Sequence, residues 1–143
     1  MAISSFDGRY AFLSNFYPAT VFYENRKYPS AEHAFQAAKT QIYEEMIAIQ
    51  NAETPGRAKR LGRKCTLRPD WELIKDDVMY KIVRDKFPRH PDLSAALLNT
   101  GNAELIEGNT WNDCYWGVCN GEGQNHLGQI LMKVRNELPY ILH

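Results

Sequence analysis

Residues Tyr28-Pro-Ser-Ala-Glu-His-Ala-Phe-Gln-Ala-Ala-Lys39 decide how the chain is read. Ser30 is a good helix N-cap, because its hydroxyl can accept from the free N–H groups of a first turn, and Pro29 favours an extended entry. The spacing predicts a central helix from about Ala31 to about Asn51. In such a helix Glu32, Gln36 and Lys39 fall at i, i+4 and i+7, within one narrow stripe. Ala31, Phe35, Ala38, Ile42 and Ile49 form the apolar stripe beside it. A carboxylate, an amide and an amine would then line the margin of a buried face. A solvated helix flank accounts for the same pattern, so the rest of the chain has to decide.

Upstream, Phe12-Leu-Ser-Asn-Phe16 reads as a loop or strand end. There Ser14 and Asn15 can offer hydrogen bonds to a ligand, and Phe16 and Tyr17 can offer stacking faces. Most of the neighbouring rings are expected in the core. Thr20–Tyr23 and Arg26–Tyr28 read as a hairpin about Glu24-Asn25. Downstream, Thr54-Pro55 restarts the chain as a short helix over Arg57–Leu61, ended by Gly62. Its Arg57, Arg60 and Arg63 beside a helix start suit a phosphate, and equally suit a basic surface turn. Trp71 to Phe87 keeps helical periodicity until Pro88 and reads as a core helix without chemistry. Pro91–Leu98 is a short amphipathic helix stopped at Gly101. Leu105–Ile106 reads as a strand, and Asn125 as the cap of a final helix over Leu127–Leu138.

Between these last elements lies Asn112-Asp-Cys-Tyr-Trp-Gly117, followed by Gly121 and Gly123. Asp113 beside Tyr115 and Trp116 places a carboxylate next to flat rings, a combination able to hold a base-like ring and a sugar. Asp113 as a turn residue in an aromatic-anchored loop is the alternative. The glycines do not form a dinucleotide-binding fingerprint.

The 143 residues are expected to form one domain, with 44% hydrophobic and 24% charged residues. A formal net charge of +0 argues against a general nucleic-acid coat or a membrane-surface protein. The charge is segregated, however: Thr54–Pro69 contains no acid, and His90–Met132 contains no lysine or arginine. Cys65, Cys114 and Cys119 lack a framework spacing, which implies reduced thiols and a cytoplasmic setting. His33, His90, His126 and His143 make no ligand pairs, so a structural zinc site is not expected. No signal peptide or membrane-length apolar run is visible, and no stretch marks an obligate protein partner.

Six short motifs then fall in register: Ser14-Asn-Phe16; Ser30-Ala-Glu-His33 with Phe35-Gln-Ala-Ala-Lys39; Ala58-Lys-Arg-Leu-Gly-Arg63; Trp71 ahead of Lys75 and Val78-Met79; Asp113-Cys-Tyr-Trp-Gly117; and Gly123-Gln-Asn-His-Leu-Gly128. Together they resemble the NADAR, or YbiA-like, family over about Phe12 to Leu138. The resemblance implies a mainly helical α+β fold with one pocket, and N-glycosidase activity on a ribose–nitrogen bond. Two substrate classes are implied: phosphorylated ribosylamino-pyrimidine intermediates of riboflavin biosynthesis, or ADP-ribose attached to guanine in nucleic acid. It also implies catalytic roles for Glu32, Asp113 and Lys39, with Lys39 or its rival Lys59 as an imine-forming amine. Asn15, Phe16, Gln36, Arg57, Arg60, Arg63, Trp116 and Asn125 are the expected substrate-binding set. No metal or redox cofactor is needed. A domain that holds ADP-ribose or a nucleotide without cleaving it is the second expectation.

Overall fold

The computed structural model describes residues 1–142. They form two compact units, Met1–Ser14 with His90 onward, and Asn15–Arg89. The fold is mainly helical with short two-stranded pairings, an α+β arrangement.

Strand β1 (Ala2–Ile3) belongs to the other unit; in the Asn15–Arg89 unit the first elements are β2 (Val21–Tyr23) and β3 (Arg26–Tyr28), an antiparallel hairpin. Glu24 and Asn25 both take positive φ, 50° and 63°. Two left-handed residues give the turn whose twist matches a two-residue hairpin, as Glu24-Asn25 predicts. Helix α1 (Ala31–Ala37) follows, and the Ser30 hydroxyl accepts from the His33 N–H at 3.1 Å. Ser30 Oγ also lies 2.7 Å from His33 Nδ1, and His33 Nε2 lies 2.9 Å from the Ala52 carbonyl. A carbonyl can only accept, so Nε2 carries the proton and Nδ1 accepts from Ser30.

The predicted central helix is in fact two helices. Helix α1 stops at Ala37, and α2 spans Tyr43–Gln50. Thr40 explains the break: its oxygen accepts from the Ile42 N–H at 3.1 Å while its hydroxyl donates to Glu45 at 2.6 Å. A threonine side chain thus offers the backbone a partner that competes with the helical ladder. Ile42 consequently leaves the apolar stripe and is 40% exposed, whereas Ala31, Phe35, Ala38 and Ile49 are buried as expected.

Helix α3 (Pro55–Lys64) is capped by the Thr54 hydroxyl, with Pro55 in the first turn. It does not end at Gly62 but runs through it. A Cβ there would collide with the Gln36 side chain, so this glycine serves close packing of α3 on α1 rather than termination. Helix α4 (Trp71–Arg89) buries Val78, Met79, Ile82, Val83 and Phe87. It continues through Pro88, because a proline in the last turn removes only one of the few bonds left to make. Trp71 packs on Phe35 with ring centroids 5.1 Å apart.

In the other unit, a 3-10 helix spans Gly8–Leu13 and buries Phe12 and Leu13, where a loop or strand end is expected. Apolar residues at 12 and 13 are drawn inward, and two tight turns achieve this. Strand β1 (Ala2–Ile3) pairs in parallel with β4 (Glu104–Leu105), and β5 (Gly108–Asn109) with β6 (Val118–Cys119). The strand expected at Leu105–Ile106 is thus shifted by one residue. Helix α5 (Pro91–Leu98) forms as read, with Gly101 at φ +62° beyond it. Helix α6 spans His126–Ile141 and carries Pro139 inside its last turn rather than after its end. Among the described residues no helix is long and apolar enough to cross a membrane.

Candidate active site

Within the Asn15–Arg89 unit Asn15, Glu32 and Gln36 meet at the first turns of α1. Glu32 is only 7% exposed and Gln36 only 4%. Gln36 Nε2 donates to Glu32 Oε2 at 2.6 Å, a short bond of the kind an ionised acceptor makes. Gln36 sits one turn along the helix, which brings donor and acceptor onto one face. Its Oε1 is buried and has no hydrogen-bond partner; this oxygen faces Gly62. The Glu32 N–H, one of the donors that the start of a helix leaves unused, reaches the Asn15 carbonyl at 2.9 Å. Asn15 is itself buried and donates through Nδ2 to Met79 Sδ at 3.3 Å. It is therefore a fastening between the loop, α1 and α4. The next residue, Phe16, is 43% exposed, and Lys59 Nζ lies 5.9 Å from its ring centroid.

Lys39 lies just past α1, where its N–H closes a tight turn on the Gln36 carbonyl at 3.2 Å. The stripe expected on one continuous helix is thus delivered by a helix and the turn that ends it. The Lys39 amine is half-buried and lies 5.9 Å from the Phe35 centroid. Burial pushes its pKa below the ordinary lysine value; Glu32 and then Cys65 pull it back up, and Arg63 and Lys59 push it further down. Those four influences identify the charged groups near the amine. Of the basic residues on α3, Lys59 and Arg63 stand one turn apart on one face, Arg60 lies at the edge of that face, roughly 60° from Arg63, and Arg57 turns away from both by roughly 120–160° in a regular helix. Arg57, Arg60 and Arg63 are all exposed.

Helix α4 adds a residue that the periodic reading passes over. Lys86 occupies a core position, i+4 from Ile82 and i+3 from Val83, and is 1% exposed. Burial lowers its pKa to about 7. The available signal was a lysine on the apolar stripe of the longest helix. Because the unfolded chain holds a lysine proton up to about 10.5, it binds more protons than the folded chain between about pH 7 and 10.5. The cost to folding is therefore full below pH 7 and is relieved as pH rises, by roughly tenfold in the folding equilibrium per unit. Denaturant midpoints of wild type and Lys86→Met, compared across that range, should show wild type gaining on the variant as pH rises. A constant difference would mean that the amine titrates normally.

The other unit carries Asp113, Trp116 and Asn125. Asp113 Oδ1 accepts from the Tyr115 and Trp116 N–H groups at 3.1 and 2.9 Å. Its side chain thus builds the turn that presents the rings. Asn109 holds the same loop, donating to Glu107 Oε2 at 2.8 Å and to the Asp113 carbonyl at 2.9 Å. A Cβ at Gly117 would strike Glu107, so only glycine passes there. Tyr115 stacks on His126 at 4.3 Å, and Trp116 meets both rings edge-on. Asn125 precedes α6 at φ 55° without capping it through its side chain. Its amide is spent instead on the Leu105 carbonyl at 2.9 Å and the Glu107 N–H at 3.0 Å. The left-handed backbone turns the side chain away from the helix and onto β4, so Asn125 acts here as a structural tie.

A buried carboxylate held by an amide, beside an amine kept below its ordinary pKa, is equipped for proton transfer or carbonyl addition. The sequence also matches the model of the NADAR domain over residues 4–139. The chain belongs to the NADAR domain family. Among NADAR relatives, N-glycosidase YbiA of Shigella boydii is 40% identical over 132 residues, covering 90% of this chain and 82% of that protein. The riboflavin biosynthesis protein VVA0006 of Vibrio vulnificus is 40% identical over 143 residues, covering 95% of this chain and 39% of that longer protein. The NMR structure of the Escherichia coli protein YbiA superposes with a TM-score of 0.87 at 36% identity, covering 99% of this chain and 85% of that one. The mainly helical α+β architecture is therefore shared with a solved NADAR relative.

Proposed function

We propose that this chain is an N-glycosidase that hydrolyses the bond between a ribose and a nitrogen leaving group. The buried Glu32 carboxylate, fixed by Gln36 at 2.6 Å and acting on the depressed Lys39 amine, carries this reading. The names of the NADAR relatives support it.

Breaking a ribose–nitrogen bond builds positive charge on the anomeric carbon and negative charge on the departing nitrogen. Glu32 is placed to stabilise the first or, when protonated, to protonate the second. Lys39 supplies the covalent route. Its neutral amine attacks the anomeric carbon as the bond to nitrogen breaks, and the leaving nitrogen takes a proton. The ribose ring then opens, its ring oxygen gaining a proton as the amine loses one, and the sugar is held as an imine. Water adds to that imine and releases the free sugar, returning the amine. Lowering of the Lys39 pKa by burial raises the fraction able to attack. Lys59 and Arg63 are the cations proposed for the sugar phosphate, with Arg57 and Arg60 as outer charges. Phe16 is proposed as a stacking face, and Trp116, held out by the Asp113 turn, as a second one on its own unit.

The substrate classes proposed are a phosphorylated ribosylamino-pyrimidine, in keeping with the name of the Vibrio relative, and ADP-ribose on guanine in nucleic acid. The zero net charge favours the small molecule, because a nucleic-acid substrate gains little long-range attraction. Free cysteines at 65, 114 and 119 fit a cytoplasmic setting. The test is to incubate the protein with each class, with and without borohydride. The expected result is cleavage of one class, seen as free base from the ribosylamino-pyrimidine or free ADP-ribose from the nucleic acid, and a reduced sugar adduct on the Lys39 peptide. Release without any adduct would remove the imine step, and release from neither class would overturn the reading.

A further inference from the structure

The segment Asn15–Tyr17 is gripped at both ends by one face of α4. Asn15 donates to Met79 Sδ at 3.3 Å, and Lys86 Nζ lies 5.8 Å from the Tyr17 ring centroid and 5.1 Å from that of Phe87. Met79 and Lys86 are seven residues apart, two turns along the same face. Between the gripped residues stands Phe16, exposed to solvent. From Asn15 the connection runs on through its carbonyl to the Glu32 N–H at 2.9 Å.

We infer that Lys86 is a positioning residue: with Met79 it clamps Asn15–Tyr17 onto α4, so that Phe16 is presented as a ring platform and the first turn of α1 holds Glu32 in place. A leucine or methionine would fill a core position of α4 without the cost of taking an amine out of water. The lysine is thus a choice that packing alone does not require. Its flexible stem and polar head let it lie against two rings at once, an arrangement favoured over an aromatic face. The inference extends the N-glycosidase reading, for which Glu32 and Phe16 matter, but its geometry is independent of any substrate.

Two measurements test it. The first, amide hydrogen exchange at Glu32, needs no substrate and reads the tether to Asn15. The second is the kinetics of release of the base from a ribosylamino-pyrimidine phosphate. Lys86→Met is expected to speed Glu32 exchange by about tenfold or more and to raise KM by at least about fivefold, while the melting temperature at neutral pH does not fall, because methionine carries none of the cost of burying the amine. Lys86→Arg should restore most of both, since a guanidinium also lies over aromatic faces. Tyr17→Ala should reproduce the losses, and the double variant should be no worse than the worse single. Unchanged exchange and KM in folded Lys86→Met, strictly additive losses, or a borohydride-trapped sugar on the Lys86 peptide would each overturn the clamp. If Lys86→Met does not fold, Tyr17→Ala decides alone: the loss supports the clamp, and wild-type exchange and KM overturn it. Failure of wild type to release any base defeats the N-glycosidase reading while leaving the exchange result to stand.

Discussion

Glu32→Gln is expected to reduce release of the base by about 10²–10⁴-fold, the range that a positioned acid or base supplies, while substrate binding stays within a few-fold of wild type. The substitution is nearly isosteric, and the new amide oxygen can still accept the bond from Gln36 that now ends on Glu32 Oε2 at 2.6 Å. The Glu32 N–H is unaffected and keeps its bond to the Asn15 carbonyl. What is lost is the negative charge and the exchangeable proton. The amide can neither balance the charge on the anomeric carbon nor protonate the departing nitrogen. A secondary effect falls on Lys39, whose pKa Glu32 raises: without that charge the amine should become still easier to deprotonate. Binding measured by calorimetry and turnover measured by release of the base separate these effects. Retained turnover in a folded variant would exclude Glu32 from the chemistry.

The second large effect is expected at Gly62→Ala. In an open helix this change would stabilise by about 1 kcal/mol, because alanine is the better helix former. Here the added Cβ meets the Oε1, Cδ and Cβ of Gln36, the first two too closely to coexist. Gln36 is buried and tied through Nε2 to Glu32, so it cannot swing aside without breaking that bond. Overpacking costs about 1–3 kcal/mol, enough to reverse the propensity gain. Gly62→Ala should therefore lower the melting temperature and reduce turnover by at least about tenfold. Repeating it on a Gln36→Ala background should lift the melting temperature instead, because the two closest atoms are gone and only the Cβ contact at 3.1 Å remains. A stabilised, fully active single variant would show that Gln36 has room to move and that its bond to Glu32 does not matter.

Much of this was legible from residue types. Ser30 as a cap, the Glu24-Asn25 turn, the core stripe of α4 and the Glu32–Gln36 spacing all follow from local chemistry, and the structure realises each of them. The missed features are those in which a distant or competing partner outweighs local preference. Thr40 breaks the central helix by bonding Ile42 and Glu45, a competition that periodicity does not register. Gly62 looks like a stop in one dimension and is a packing contact in three. Asn125 looks like a cap, but its left-handed backbone sends the amide to β4. The basic run of α3 reads as three equivalent arginines, whereas only Arg63, together with Lys59, acts on the Lys39 amine, and helical geometry turns Arg57 away from both. Lys86 is hidden for the opposite reason: the apolar periodicity of its helix is complete without it, so nothing in the pattern marks the lysine as buried.

Hydrolysis itself is tested most directly by a single-turnover experiment, with protein in excess over a ribosylamino-pyrimidine phosphate or an oligonucleotide carrying ADP-ribosylated guanine. Chromatography of the quenched mixture should show free base and free sugar phosphate, or free ADP-ribose, in stoichiometric amount from at least one of the two. Recovery of both substrates intact from saturated complexes would contradict hydrolysis and make the chain a module that binds and does not cut.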